Sequence, residues 1–320
     1  MIKTLISTIM AFIVSIIGIL GLHGNIGEKP KEEGSIKDVT ISFDNVDEFF
    51  DYTSNLDNLL SYGNKENGFE YSVYKDSFAV VENTTVNSRK MLIPETLGGY
   101  KVVAVCNVGY SLSVKEVVFS EGIEFISCPL KKIRNVEIVS LPASLKYIES
   151  GTLAKCKHLK EITLPELIDV VTSCLFSECS DLKSVKMGSK VEIIEGDAFF
   201  WCKSLENIVL SDEIERIQSN AFDHCIRLQS IKLPSKVRSI GDFAFNECKK
   251  LKIESLPNEV QRIGDRAFQN CQSIEELYIP ESVTEIGKMA FEGCTNLTIV
   301  TSSEYVIEYA KVNGINYKIG

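Results

Sequence analysis

The sequence is poor in the side chains that most often perform catalysis or bind metal ions. Its only three histidines are His23, His158 and His224. His23 borders an apolar segment, and no spacing brings a Ser–His–Asp set together around the other two. There is no glycine-rich phosphate loop and no His-x-x-x-His motif. We therefore expect no enzymatic activity, no cofactor and no metal site.

Positive charge is also scarce. The chain has 34 Lys and Arg against 44 Asp and Glu, which gives a net charge of -10, and no stretch of it is a basic cluster. Binding to the phosphates of DNA or RNA requires a clustered basic face. We therefore expect no nucleic-acid partner.

Long apolar runs are absent except near the N-terminus, where residues 5–22 are almost entirely apolar after a single Lys3. This length lies at the lower limit for crossing a bilayer. No clear Ala-x-Ala cleavage site follows, so a cleaved signal peptide and a retained anchor both remain open. Either alternative predicts that the rest of the chain is secreted or lies at the cell surface. Any contact with a membrane is then made by this segment.

The dominant feature of the sequence is a 23-residue repeat. Several residue types keep one phase over seven copies, which predicts a stacked solenoid. Each repeated cysteine is followed three residues later by Leu or Ile. The repeated cysteines and phenylalanines are Cys156, Cys179, Cys202, Cys225, Cys248, Cys271 and Cys294, and Phe176, Phe199, Phe222, Phe245, Phe268 and Phe291.

One unit predicts two short strands and a turn. Ile231 and Leu233 alternate with polar residues, as in a strand with one buried face, and Pro234 ends that strand. Val237 to Ile240 indicates a second extended segment, and residues 242–248 indicate a single helical turn. Stacked units should rise roughly 4.8 Å each, the spacing of neighbouring parallel strands.

The repeated cysteines should form a ladder of buried thiols. Their Cβ atoms would lie about 4.8 Å apart and point the same way, whereas a disulfide needs roughly 3.5–4.5 Å and facing atoms. Free Cys packs as a small apolar side chain. Scattered disulfides remain the alternative, and Cys174 with Cys179 is too incomplete a set for zinc.

The order of residues in each unit resembles the BspA-like class of leucine-rich repeats. The match rests on Leu-x-x-Ile-x-Leu followed by Pro, then Ile-Gly-Asp-x-Ala-Phe and Cys-x-x-Leu, as in residues 228–248. The resemblance covers residues 91–320 and implies a curved solenoid used for surface display and protein binding. Glu254 departs from the pattern at an apolar position, which predicts an irregular strand or one shifted by a residue.

The predicted fold is therefore a leucine-rich-repeat solenoid of short parallel strands, turns and single helical turns, capped at both ends. We divide the chain into a signal or anchor at 1–24, a linker at 25–35, an N-terminal capping region at 36–90, the solenoid at 91–304 and a C-terminal cap at 305–320. Solenoid ends expose apolar edges and require such caps.

The outward side chains of the first strand in each unit vary while the buried ones repeat, as in a scaffold with a binding face. A contact patch around Ile253, Tyr278 and Ile299 is the sharper interpretation, and an ordinary solvated sheet is the alternative. The predicted protein-binding residues are Lys186, Val209, Lys232, Ile253, Tyr278 and Ile299.

These observations predict a monomeric, non-catalytic protein that binds other macromolecules, with a protein as the partner. The family resemblance implies adhesion or interaction with host or neighbouring-cell proteins. The alternative is a membrane-anchored or intracellular scaffold that lacks catalytic activity.

Overall fold

The computed structural model describes residues 46–320. The predicted signal or anchor and linker, and residues 36–45 of the predicted cap, lie outside the described residues. Within 46–320, no helix has both the length and the apolar character needed to cross a membrane.

The described chain begins with a helix and an antiparallel sheet. Helix α1 (Val46–Ser54) is followed by β1 (Leu59–Glu66), β2 (Phe69–Tyr74) and β3 (Phe78–Thr84). β2 and β3 pair as an antiparallel hairpin. Phe49 of α1 stacks on Phe125 with ring centroids 4.2 Å apart, which holds the helix against the first repeats.

The sheet then continues into the repeats through β6 (Tyr100–Val105), which pairs with β3 in parallel. From there the chain winds as a solenoid in which most coils carry two short strands, so that two columns of parallel strands form. Ser230, Lys252 and Ser255 join the first column through single bridges. The first column contains β4 (Lys90–Ile93), β7 (Glu116–Phe119), β9 (Ile138–Ser140), β11 (Glu161–Thr163), β13 (Ser184–Lys186), β15 (Asn207–Val209), β19 (Glu276–Tyr278) and β21 (Thr298–Val300).

The second column runs along another side of the coil. A short strand β5 (Thr96–Leu97) pairs antiparallel with its first member. The column contains β6 (Tyr100–Val105), β8 (Phe125–Ile126), β10 (Tyr147–Ile148), β12 (Val170–Val171), β14 (Ile193–Ile194), β16 (Arg216–Ile217), β17 (Ser239–Ile240), β18 (Arg262–Ile263) and β20 (Glu285–Ile286).

The third side of each coil consists of turns. The predicted single helical turn at 242–248 is a run of tight turns instead, in which Phe243 and Glu247 take positive φ angles of 57° and 60°. A right-handed helical turn excludes such angles. This backbone directs alternate N–H groups to the next coil, as in the bond of 2.8 Å from Phe199 N to Ala221 O.

The core is a stack of repeated side chains. The rings of the repeated phenylalanines stack face to face with centroids 5.0 to 5.4 Å apart, close to the predicted rise per unit. All ten cysteines are free thiols. The predicted ladder of buried thiols is confirmed from Cys156 to Cys271, and Cys294 at its end is partly buried.

A helix and a strand follow the last coil. Helix α2 (Glu304–Val312) begins after Ser303, whose side chain accepts a hydrogen bond from Val306 N, and ends before Gly314 at φ 66°. The strand β22 (Asn316–Lys318) pairs with β21. The assignment of both end regions as caps, with their boundaries, stays a prediction.

Candidate functional site

The outward rows of the first strand column form the candidate site. In β11, β13 and β15 the middle residue is buried and the two flanking residues are exposed. Parallel register aligns Glu161 with Ser184 and Asn207, and Thr163 with Lys186 and Val209. We call this surface the sheet face, made of Glu161, Thr163, Ser184, Lys186, Asn207, Val209, Ser230, Lys232, Lys252, Glu254, Glu276 and Tyr278.

Three of the predicted binding residues lie together on the sheet face. Val209 is 76% exposed, and Lys186 and Lys232 are the exposed residues on the coils to either side of it. An isolated exposed valine is common on protein surfaces. Its position between two lysines nevertheless makes it the apolar centre of this part of the face.

Two predicted binding residues do not lie on the face. Ile253 is 6% exposed and Ile299 is fully buried, so their outward placement is wrong. The ladder joins Ser230 to Lys252, a step of 22 residues instead of 23, and it joins Glu276 to Thr298 by the same step. Because neighbouring residues of a strand point to opposite faces, the shortened step turns each isoleucine inwards.

The apolar patch predicted around Ile253, Tyr278 and Ile299 therefore does not exist. Tyr278 alone of the three reaches the surface, and it is half-buried. Glu254 is exposed, which agrees with the strand shift that its position in the sequence indicated. That the remaining face binds a protein stays a prediction.

The feature that sequence reasoning missed is the positive charge on this side of the molecule. Lys252 takes the outward place expected for Ile253, and Lys183 lies just before β13. No ion pair within residues 46–320 includes Lys183, Lys186, Lys232 or Lys252. Successive coils contribute these lysines, so they form no basic run in the sequence. The fold thus brings together lysines that the sequence separates, and the absence of a nucleic-acid partner stays a prediction.

The two described histidines lie on the turn side. His224 Nδ1 is 2.7 Å from Asp223 Oδ1, and the His224 ring stacks on Trp201 with centroids 5.1 Å apart. Burial raises the pKa of Asp223, while its bonds to His224 and Asn246 oppose that rise. His158 Nδ1 lies 3.4 Å from Asp181 Oδ2. The His158–Asp181 pair links neighbouring coils, and the His224–Asp223 pair lies within one turn.

Across residues 46–320, no group of three or more His, Cys, Asp or Glu side chains could hold a metal ion. Burial raises the pKa of the ladder thiols, for example that of Cys156 to about 12. A thiol held protonated is a poor ligand and a poor nucleophile at neutral pH.

Comparison with known proteins identifies the repeat. The model of the BspA type leucine rich repeat region matches residues 109–229 and 215–312, in six copies. No curated protein sequence matches the chain.

Solved structures of leucine-rich repeat proteins resemble the chain at low identity. A leucine-rich repeat protein of T. pallidum is 18% identical, covers 80% of this chain and 98% of its own, and superposes with a TM-score of 0.41. A leucine rich cell surface protein of Faecalibacterium prausnitzii A2-165 is 19% identical, with coverage of 80% and 98% and a TM-score of 0.35. The pneumococcal vaccine antigen PcpA is 13% identical, with coverage of 81% and 99% and a TM-score of 0.35.

Proposed function

The chain belongs to the BspA-type leucine-rich repeat family, and from that premise we propose that it is a non-catalytic protein that binds a protein partner through its sheet face. The observation that carries the proposal is the exposure of Val209, at 76%, between Lys186 and Lys232, neither of which forms an ion pair within residues 46–320. A single exposed valine is common, so the argument rests on its place between two exposed lysines, where one partner buries the valine and pairs with both charges.

The repetition of the core supports the same conclusion. Inward positions of the first column repeat as Ile or Val from Val139 to Ile231, while outward positions change from coil to coil. Stability therefore constrains the inward rows, and the outward rows are free to serve recognition.

A photo-crosslinking amino acid at position 209 tests this proposal in the cells that make the protein. We expect a discrete crosslinked protein from position 209. The matched control places the same group at position 312, because Val312 is also 76% exposed but lies at the end of α2. Equal products at both positions, or none at 209, would refute binding through the sheet face.

We further propose that the protein is displayed outside the cytoplasm, either released or held by residues 5–22. Support for this comes from the apolar character of that segment alone. The competing hypothesis is an internal scaffold, and adhesion to a host or a neighbouring cell requires the displayed form.

Labelling of intact cells separates these alternatives. An amine reagent that does not cross membranes is preferable to a thiol reagent, because the lysines of the sheet face are exposed and most of the cysteines are buried. Labelled Lys186 or Lys232, with an intact mass that reports the mature N-terminus, would support display. Labelling only after lysis would establish the internal scaffold.

A further inference from the structure

Charge is strongly segregated around the solenoid. In the five coils that follow Cys156, the segments that carry the first strand column are residues 157–164, 180–187, 203–210, 226–233 and 249–256. They contain ten Lys and Arg but only four Asp and Glu. In the rest of the same coils, from residue 165 to residue 270, six Lys and Arg face fourteen Asp and Glu. A chain with a net charge of -10 thus presents one basic side.

The basic residues of these segments all lie in solvent. Every one of the ten is exposed, and the sheet face holds Lys186, Lys232 and Lys252 among them. Lys249 pairs with Glu247 and Arg227 with Glu206, but the lysines that flank Val209 have no ion-pair partner in the described chain. Like charges on adjacent coils repel one another, so this arrangement costs the free protein a little stability.

The lysines stand at a regular distance from the apolar centre. Lys186 and Val209 are paired neighbours in the ladder, and Lys232 occupies the same row on the next coil. With about 4.8 Å between coils, the two lysine stems are separated by roughly 10 Å, with the valine midway. A ligand that neutralises both lysines therefore passes over Val209.

The face offers little to a nucleic acid or another uniform polyanion. Between Glu161 and Glu254 the outward rows of the described chain contain no aromatic ring on which a base could stack. A phosphate or sulfate chain would also leave Val209 against a charged backbone, without an apolar contact. Carboxylates on both sides of an apolar side chain can pair with the lysines while that side chain covers Val209.

We propose that the partner presents an acidic protein segment, in which carboxylates on both sides of an apolar side chain pair with Lys186, Lys232 and Lys252 while that side chain covers Val209. This inference rests on the proposed function, because it specifies the partner of the same face. Complementary charge raises the association rate and rejects basic partners, and the apolar contact holds the complex once formed.

A short dye-labelled peptide of glutamates around a central leucine tests the chemistry directly by fluorescence anisotropy. The full chain should bind it at low salt and lose affinity as salt rises. The triple variant Lys186→Glu, Lys232→Glu, Lys252→Glu should bind more than about tenfold more weakly, since three attractions become repulsions. Replacement of the peptide leucine by serine should weaken binding to the wild type by a few-fold.

The matched control reverses three exposed lysines away from the sheet face, Lys131→Glu, Lys190→Glu and Lys288→Glu, and so changes the net charge by the same amount. It should bind the peptide with at least about a third of the wild-type affinity. Circular dichroism and urea unfolding of both triple variants establish that each is folded. Equal losses in the two variants would overturn the proposal, because net charge alone would then explain binding.

Three further outcomes would also overturn it. Tighter binding of dextran sulfate or single-stranded DNA than of the peptide, with the same dependence on Lys186, would identify a polyanion. Salt-sensitive self-association of the wild type that the sheet-face variant abolishes would identify a second copy of the chain. A crosslink at position 209 that survives the triple charge reversal would leave the proposed function standing and refute an acidic partner.

Discussion

At the scale of single residues, the ladder cysteines are hydrogen-bond donors as well as core side chains. Cys225 Sγ lies 3.2 Å from the carbonyl oxygen of Phe199, which also accepts the N–H of Cys202 at 3.1 Å. The same bond recurs in other coils, for example from Cys248 Sγ to Phe222 O at 3.1 Å. A valine or an alanine in this position would leave the second bond unmade, which favours cysteine as the repeated residue.

Cys225→Ala should therefore destabilise the fold by about 1–2 kcal/mol, because it removes the thiol donor and leaves a small cavity. Urea unfolding followed by circular dichroism measures the effect as a lower midpoint. Cys174→Ala is the control, since Cys174 is partly exposed and lies outside the ladder. Equal midpoints for Cys225→Ala and the wild type would show that neither the hydrogen bond nor the packing of this thiol contributes to stability.

The same thiols should make the protein sensitive to alkali. Burial raises the pKa of Cys156 and Cys294 to about 12 and raises that of the other ladder thiols as well. An unfolded thiol titrates near 8.5, so above that pH the unfolded chain binds fewer protons than the folded chain.

The urea midpoint should therefore be insensitive to thiol ionisation below about pH 8 and fall as the pH rises from about 8.5 towards 12. A pH series of unfolding curves checks this expectation. The Cys225→Ala variant, with one buried thiol fewer, should show a shallower decline. A parallel decline in both proteins would assign the alkaline loss to other groups, such as Tyr309, whose pKa burial also raises.

At the scale of elements, the corner that follows the second strand admits only glycine in some coils. A Cβ atom on Gly241 would lie 2.5 Å from the backbone nitrogen of Ser219 and 2.6 Å from the carbonyl carbon of Gln218. Both atoms belong to the preceding coil and are held by its own backbone. The glycine of the Ile-Gly-Asp motif is therefore required by close stacking of coils.

Gly241→Ala should lower the stability by about 1–3 kcal/mol, because the preceding coil has to move to admit the methyl group. Thermal and urea unfolding would measure the loss. Gly196→Ala is the matched variant in a neighbouring corner, where the nearest atom to an added Cβ is Ser219 O at 3.3 Å. A smaller loss there supports the steric explanation, and equal losses would contradict it, because backbone entropy alone makes Gly→Ala stabilising at these φ angles.

The elements show where prediction from sequence succeeds and where it ends. Strand order and the buried rows follow from the 23-residue period, since each core residue type repeats in phase. The sequence places Ile253 and Ile299 on the wrong face because their strands shift register by one residue. The neighbouring Cys and Leu keep their 23-residue period, but the step of 22 residues exchanges the buried and exposed faces of each strand. The basic side was missed because its lysines come from coils that are adjacent only in space.

At the scale of the whole molecule, each coil contacts mainly its two neighbours, so a complete unit should be removable. Deletion of residues 203–225 joins Cys202 to Ile226 and preserves the phase of every repeated position. The shortened chain should remain folded, with a melting temperature lowered by only a few degrees. Circular dichroism and thermal unfolding measure this.

Deletion of residues 203–213 is the control, because it removes only part of a unit and places polar residues in the core rows of the following coil. It should prevent cooperative folding. If both deletions unfolded the chain, the coils would depend on a specific long-range contact rather than on their neighbours.

The hydrogen bonds between coils on the turn side share one direction, which gives this side of the solenoid a net dipole along its axis. In the bonds from Glu178 N to Phe200 O, from Phe199 N to Ala221 O and from His224 N to Asn246 O, the earlier coil supplies the N–H and the later coil the carbonyl. Their peptide dipoles add along the axis, as in an α-helix but with the opposite sense. The C-terminal end of this side is therefore its positive pole, and solenoids packed side by side gain energy when they run antiparallel.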